Sequence, residues 1–394
     1  MISRFRVLAG ILTCAACFIA ILSVATISCS DRSSKMLLDL GVIQIDIHSA
    51  EKCDFTEIID TLFHVVKLET TQNSLIGEID KLEISNNYIY ITDDMAKSVF
   101  RFDMSGNFIS KVNAYGRGPG EYLSITASTV LDSTIFIVDN LSYKQLEYCI
   151  TGKFIRETKL LDKIWANDIF NYNNKIYYVN DWSETEVGNY RLFSYDPLSE
   201  KIESYLPFED VPLSLGINGP RYAVHSEGFS VIYSGIDEIY ALLPDDNVSP
   251  IYAIDFMNEK AVYNSNNPVA VLTENRAGKV LGINRIFETD KYLFLYTYHV
   301  GGNENLFIFN KNDNIVTFCE SCNHNFFDDI ACRIKIASDN KIINWFEAYF
   351  FKLLYKHNWS SNVSMLPTML QRLSQIDQEL KDEDNPVLFI YNLK

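Results

Sequence analysis

Two stretches of this chain return at one spacing. Ile89-Tyr90-Ile91-Thr92-Asp93 recurs as Ile135-Phe136-Ile137-Val138-Asp139, and Gly106-Asn107-Phe108-Ile109 recurs as Gly152-Lys153-Phe154-Ile155, both offset by 46 residues. A period in the forties made of short alternating strands predicts a β-propeller. Each unit is too small to bury its own faces and must stack on neighbours around an axis. Second strands begin near residues 89, 135, 176, 229, 292 and 341. The expected fold class is therefore all-β, a six-bladed β-propeller of four-stranded antiparallel blades, with a C-terminal helix and a closing strand.

The first blade reads as strands over 78–85, 88–92, 98–103 and 107–112, and the second as 125–131, 134–138, 145–150 and 154–159. Gly106 and Gly152 supply the positive φ of a tight hairpin. Later copies diverge: 176–180 and 190–196; then 229–233, 236–243 and 248–256; then 283–288, 292–298, 305–310 and 315–319. The sixth begins with 330–337, 341–346 and 349–355. Leu366, Leu370, Leu373, Ile376 and Leu380 fall at helical spacing, with Pro367 suited to a first turn, so a helix is expected over about 366–381. Residues 62–69 and 387–393 each read as a further strand. Either one would complete the sixth blade and close the ring, leaving no half-paired edge at the seam.

The N-terminus reads as a targeting segment. Arg4 and Arg6 precede an uncharged apolar run over 7–27, which ends in small residues before Cys29. That is the order of a secretory signal. It resembles a bacterial lipoprotein signal, which makes Cys29 the lipid-attachment residue, residues 1–28 the leader, 29–40 a tether and 41–394 a single propeller domain. Acyl chains there would hold the domain on a bilayer surface of the cell envelope. An uncleaved transmembrane anchor is the alternative, since the run is long enough to span. The formal charge is −17, and the leader holds two of the cations. With no basic stripe, such a surface repels phosphate backbones, which argues against nucleic acid as a partner. Tyr and Phe number 23 and 25, and in a sheet protein most are packing residues.

Leu75-Ile76-Gly77-Glu78-Ile79-Asp80-Lys81, the Ile89-Tyr90-Ile91 strand, Gly106-Asn107-Phe108, the string Gly116-Arg117-Gly118-Pro119-Gly120-Glu121-Tyr122, Tyr252-Ala253-Ile254-Asp255-Phe256 and Asn385-Pro386-Val387-Leu388 together carry a resemblance. The chain resembles the six-bladed β-propeller lipoproteins of Gram-negative bacteria, which are similar to NHL-repeat propellers. It departs from them after Asp328-Asp329, where that family is glycine-rich and this chain has Ile330-Ala331-Cys332-Arg333. The resemblance implies an extracytoplasmic propeller and brings no catalytic residues.

Tyr115, Gly116, Arg117, Gly118, Pro119, Gly120, Glu121 and Tyr122 link the outer strand of the first blade to the inner strand of the second. The glycines and Pro119 read first as turn punctuation, with Glu121 accepting backbone N–H bonds and Tyr122 packing between blades. On the functional reading, Tyr115 and Arg117 face a ligand. A phosphate loop is excluded by the missing Lys-Ser/Thr end. Cys319-Glu320-Ser321-Cys322-Asn323-His324 and Cys332 have ligand types for zinc, and Cys319 with Cys322 also suits a redox pair or local disulfide, but the spacing is irregular, and reduced cysteines are the favoured reading. His48, His64, His225, His299, His324 and His357 are scattered, and no nucleophile elbow stands out. Asp93, Asp94, Asp139, Asp181, Asp328 and Asp329 recur near strand ends. They read as turn caps, the alternative being channel carboxylates that hold calcium or act as an acid/base pair.

The expected function is thus a membrane-anchored binding module for a glycan, peptide or envelope protein. A propeller hydrolase or lyase using channel carboxylates, with calcium as its cofactor, is the alternative. No resident cofactor or metal site is expected otherwise.

Overall fold

The middle strands of each repeat lack the one-in, one-out alternation of a half-exposed sheet. Tyr88–Asp93 and Ser98–Asp103 are buried almost throughout, while the outer strand Phe154–Lys159 of the next repeat is largely exposed. A sheet whose central strands bury both faces has to be sandwiched between others. The computed structural model shows this arrangement: six small antiparallel sheets in a ring, a six-bladed β-propeller. It describes residues 40–48, 50–160, 164–213, 219–263, 267–302, 304–319, 334–338, 340–361 and 365–394. The leader, Cys29, the tether through residue 39, Cys322, His324, Asp328, Asp329 and Cys332 lie outside the described residues.

Three strands precede the first full repeat: β1 (Gly41–Gln44), β2 (Glu51–Lys52) and β3 (His64–Lys67). Blade one is β4 (Lys81–Ser85), β5 (Tyr88–Asp93), β6 (Ser98–Asp103) and β7 (Phe108–Val112). Blade two is β8 (Ala127–Leu131), β9 (Thr134–Asp139), β10 (Lys144–Cys149) and β11 (Phe154–Lys159). Blade three is β12 (Asp168–Tyr172), β13 (Lys175–Val179), β14 (Tyr190–Tyr195) and β15 (Ile202–Pro207). Blade four is β16 (Tyr222–His225), β17 (Gly228–Val231), β18 (Glu238–Leu242) and β19 (Val248–Asp255), with β1 on its outer edge. Blade five is β20 (Val280–Glu288), β21 (Tyr292–His299), β22 (Glu304–Asn310) and β23 (Ile315–Cys319), with β2 on its edge.

The repeated hairpin glycine has a packing reason. Gly106 and Gly152 have φ of +89° and +88°. A Cβ on Gly106 would lie 2.2 Å from the Lys67 carbonyl of β3, and one on Gly152 would lie 2.4 Å from the Lys111 carbonyl of β7. Each hairpin turn therefore rests on the outer strand of the preceding blade, and only a residue without a side chain fits there.

The sixth blade is where the chain ends meet. Its order is β24 (Ile336–Ser338), β25 (Lys341–Phe346), β26 (Val387–Asn392) and β3. Both terminal segments take part: the C-terminal strand is third and the N-terminal strand is outermost, with Val387 opposite Lys67. The expected strand over 349–355 is instead helix α1 (Ala348–Leu354). Its buried residues Ala348, Phe351 and Leu354 recur every three, which is helical spacing; a short apolar run does not by itself distinguish the two states. Helix α2 (Pro367–Glu379) follows the expected segment and buries Leu373 and Ile376. Both helices sit between β25 and β26 in sequence and cap blade six, α1 through Phe351, which with Phe346, Trp359 and Phe389 forms a cluster of ring centroids 5.1–6.0 Å apart, and α2 through Leu373 and Ile376. Asn385 fastens the seam: its Oδ1 accepts from Ile76 N (2.9 Å), and its Nδ2 donates to the carbonyls of Glu69 (2.8 Å) and Ser74 (2.7 Å). Among the described residues no helix is long and apolar enough to cross a membrane.

Candidate functional site

The inner strands of the six blades surround a central cavity of about 630 Å³. It follows β4 from Lys81 at the strand's start to Ser85 at its end, so it runs along the inner strands. Its walls mix charge and rings. Lys81, Glu83, Asp168, Asn171, Arg285 and Lys341 line it, together with the rings of Phe170, Tyr222, Phe287 and Trp345.

Alternation in Lys81-Leu82-Glu83-Ile84 puts the two charged residues on one side of β4 and the aliphatic ones on the other. Lys81 Nζ donates to the Ser128 carbonyl (2.7 Å) and the Ile169 carbonyl (2.5 Å), and lies 3.4 Å from Asp168 Oδ1. Its ammonium also sits 5.1 Å from the Tyr222 ring centroid. One side chain thereby joins blades one, two, three and four. Burial opposes its charge, but Asp168 and the other groups around it outweigh that and hold its pKa above the ordinary lysine value. Glu83 makes a second such tie. Its Oε1 accepts from Val130 N and Asn171 Nδ2 (3.2 Å each) and its Oε2 from Thr129 Oγ1 (3.0 Å). Burial raises its pKa, against the pull of Lys81 and of these donors.

On the opposite wall, Arg285 Nη2 pairs with Glu304 (2.5 Å), Nη1 donates to the Ile334 carbonyl (3.3 Å), and the guanidinium lies over the Tyr296 ring at 3.9 Å. Its buried Nε has no hydrogen-bond partner among the described residues. Glu83 and Asn171 converge on Thr129, whereas Asp168 is turned to Lys81. Glu83, Asn171 and Asp168 therefore do not meet at one point. Among the described residues no group of three or more His, Cys, Asp or Glu is placed to hold a metal.

The loop over 115–122 is a self-satisfied link. Gly116 N donates to the Tyr122 carbonyl (3.0 Å), Gly118 N to Glu121 Oε2 (2.7 Å), and Gly120 N to Glu157 of β11 (2.8 Å). Tyr122 is buried, with its hydroxyl on the Lys97 carbonyl (2.9 Å) and burial pushing its pKa up to about 12. Tyr148 OH donates to the Gly120 carbonyl (2.7 Å) and meets the Tyr122 ring edge-on. Tyr115, Arg117 and Pro119 are exposed, and none of residues 115–122 lines the central cavity.

The recurrent aspartates do similar work. Asp93 Oδ2 accepts from Gly77 N (2.6 Å) and Asp139 Oδ2 from Leu123 N (2.8 Å), while Asn180 Oδ1 accepts from Trp165 N (3.1 Å) at the equivalent place in blade three. Each holds the incoming linker against the end of its blade's second strand. Asp181 pairs with Arg221 and accepts from Ser234 Oγ (2.7 Å). His299 is buried between Thr297 Oγ1 (2.8 Å) and the Gly278 carbonyl (2.9 Å).

The cavity residues escape a motif search because no short string contains them. Their signal is subtler: polar residues at inner-strand positions, with Glu83 and its donor Thr129 offset by the same 46 residues as the repeat.

A family model described as a domain of unknown function, DUF4934, matches residues 41–392. The chain belongs to the DUF4934 family. Among solved structures, this DUF4934 chain is similar to one named "Putative exported protein" from Bacteroides fragilis, at 16% identity and a TM-score of 0.69, covering 90% of this chain and 99% of that one. It is also similar to a member of the DUF4221 family from Bacteroides vulgatus, at 10% identity and a TM-score of 0.54, covering 86% and 98%. At such identities the likeness is one of fold. No curated protein matches the chain.

Proposed function

We propose that this chain is an extracytoplasmic binding module, tethered to the cell envelope through lipid on Cys29, whose central cavity takes a carboxylate-bearing glycan or peptide segment. The carrying observation is the cavity wall. Lys335 and Lys341 line it with the ring of Trp345, Lys335 Nζ lying 5.7 Å from that ring's centroid, so cationic and stacking groups are offered together in a chain of net charge −17. The carboxylates there have protein partners: Asp168 faces Lys81, Glu83 holds Thr129, Val130 and Asn171, and Asp80 Oδ2 accepts from Asp94 N. They serve the ring's rigidity and not an acid/base pair. The leader and the fold shared with a chain named as exported support the location.

The test uses the detergent-solubilised full chain against matched acidic and neutral oligosaccharides and peptides. Acidic ligands should bind preferentially, and Lys341→Gln or Trp345→Ala should weaken them by about tenfold. Equal binding of neutral ligands, or turnover of any ligand, would overturn the reading. Metabolic labelling with an alkyne fatty acid should mark the wild type and not Cys29→Ser; labelling that survives the substitution, or none at all, removes the lipid tether.

A further inference from the structure

The N-terminal segment lies along the rim, with β1 on blade four, β2 on blade five and β3 on blade six. The middle contact is slight. β2 has two residues, paired in parallel with β23 as Glu51 with Thr317 and Lys52 with Phe318. Cys53 N then donates to the Phe318 carbonyl at 2.8 Å, which continues the ladder by one step. The next opposed pair is Cys53 and Cys319.

Opposed residues on parallel neighbours have Cα atoms about 4.8 Å apart and side chains on one face. That separation falls inside the range a disulfide spans. The side chains do meet: the two thiols are hydrogen-bonded, and both pack against the apolar cluster of blades five and six. Cys319 is buried and Cys53 half-buried, so Cys53 is the one an oxidant reaches first. Its thiol is also held below the ordinary cysteine value, mainly by the hydrogen bond from Cys319.

We infer that Cys53 and Cys319 are a disulfide site, closed by a thiol–disulfide oxidoreductase in an oxidising compartment. The Cys53 thiolate attacks the carrier's disulfide and forms a mixed disulfide, releasing one carrier thiolate. The Cys319 thiolate then displaces the second carrier sulfur. Both electrons and both thiol protons end on the carrier's dithiol, and one Cys53–Cys319 bond is formed. The ring, held at blade six by strand pairing and apolar packing, then gains a covalent link at blade five. Oxidation in the cell rests on the extracytoplasmic reading; the pairing itself does not.

The full chain, purified in detergent under reductant, is equilibrated with oxidised and reduced glutathione, alkylated and mapped without reduction. A peptide joining Cys53 to Cys319 is expected. Reducing it should lower the apparent Tm by about 5–10 °C in the wild type and leave Cys53→Ser unchanged. Cys319 joined to Cys322 or Cys332, or both thiols still open to alkylation, would overturn the site. If the bond forms in vitro but the thiols are reduced in intact cells, the pairing stands and the extracytoplasmic reading fails.

Discussion

Gly120 has φ of +72°, and a Cβ there would meet the Phe154 ring at 2.9 Å. Gly120→Ala must strain the backbone and push the ring at once. It should cost about 1–3 kcal/mol, read from denaturant melts. His299 gives a pH signature. Burial lowers its pKa, only partly countered by the Gly278 carbonyl. The unfolded chain therefore takes up this proton first as the pH drops. Stability from this site is fully present above about pH 6.5 and is lost as pH falls through the lower folded-state value. Melts across pH 7 to about 5 should show that decline in the wild type, and His299→Gln should flatten it. At this scale much was legible. The link over 115–122 behaves as its residue types predict, with Glu121 accepting a backbone N–H and Tyr122 sealed between blades. Arg285 and Asn171 were not legible, because their meaning depends on neighbours from other blades.

Elements explain where the ring is vulnerable. Strands made by adjacent hairpins reform whenever their own repeat is intact. The seam has no such local support, since Asn385 reaches Ser74 across 311 residues. Asn385→Ala removes three hydrogen bonds and leaves buried backbone groups without partners, so a loss of about 3 kcal/mol is expected in equilibrium unfolding. Asn385→Asp keeps the acceptor for Ile76 N but turns a buried carboxylate oxygen onto the Glu69 and Ser74 carbonyls, so it should lose at least as much. The same logic explains the misread segment over 349–355. Phe350, Phe351, Leu353 and Leu354 suit a strand by composition, but once α2 and β26 are in place the face formed by Ala348, Phe351 and Leu354 finds an apolar partner as a helix.

Across the whole molecule, charge is distributed unevenly. The chain carries −17, yet Lys81, Arg285, Lys335 and Lys341 line the cavity beside Asp80, Glu83 and Asp168. Low-dielectric walls strengthen what charge remains unpaired there. Affinity for an acidic ligand should therefore fall several-fold as ionic strength rises from about 0.05 to 0.5 M, as titrations in graded salt would measure. A neutral ligand held by stacking on Trp345 would show no such slope. The six-blade ring itself was readable from two well-kept repeats, because a unit that cannot bury both faces alone implies the neighbours it stacks on.

Sequence periodicity determined the strands of the first two blades, their hairpins and helix α2, because each of these is a pattern of burial over a few neighbouring residues. β6 falls on 98–103 and β11 on 154–159, as the alternation alone placed them. Only the tertiary structure decided that both chain ends enter blade six, that Lys81 ties four blades together, and that Cys53 comes beside Cys319. These are meetings between residues far apart in the chain. Their free energy depends on shape and partner across the ring, and no local repeat carries that information.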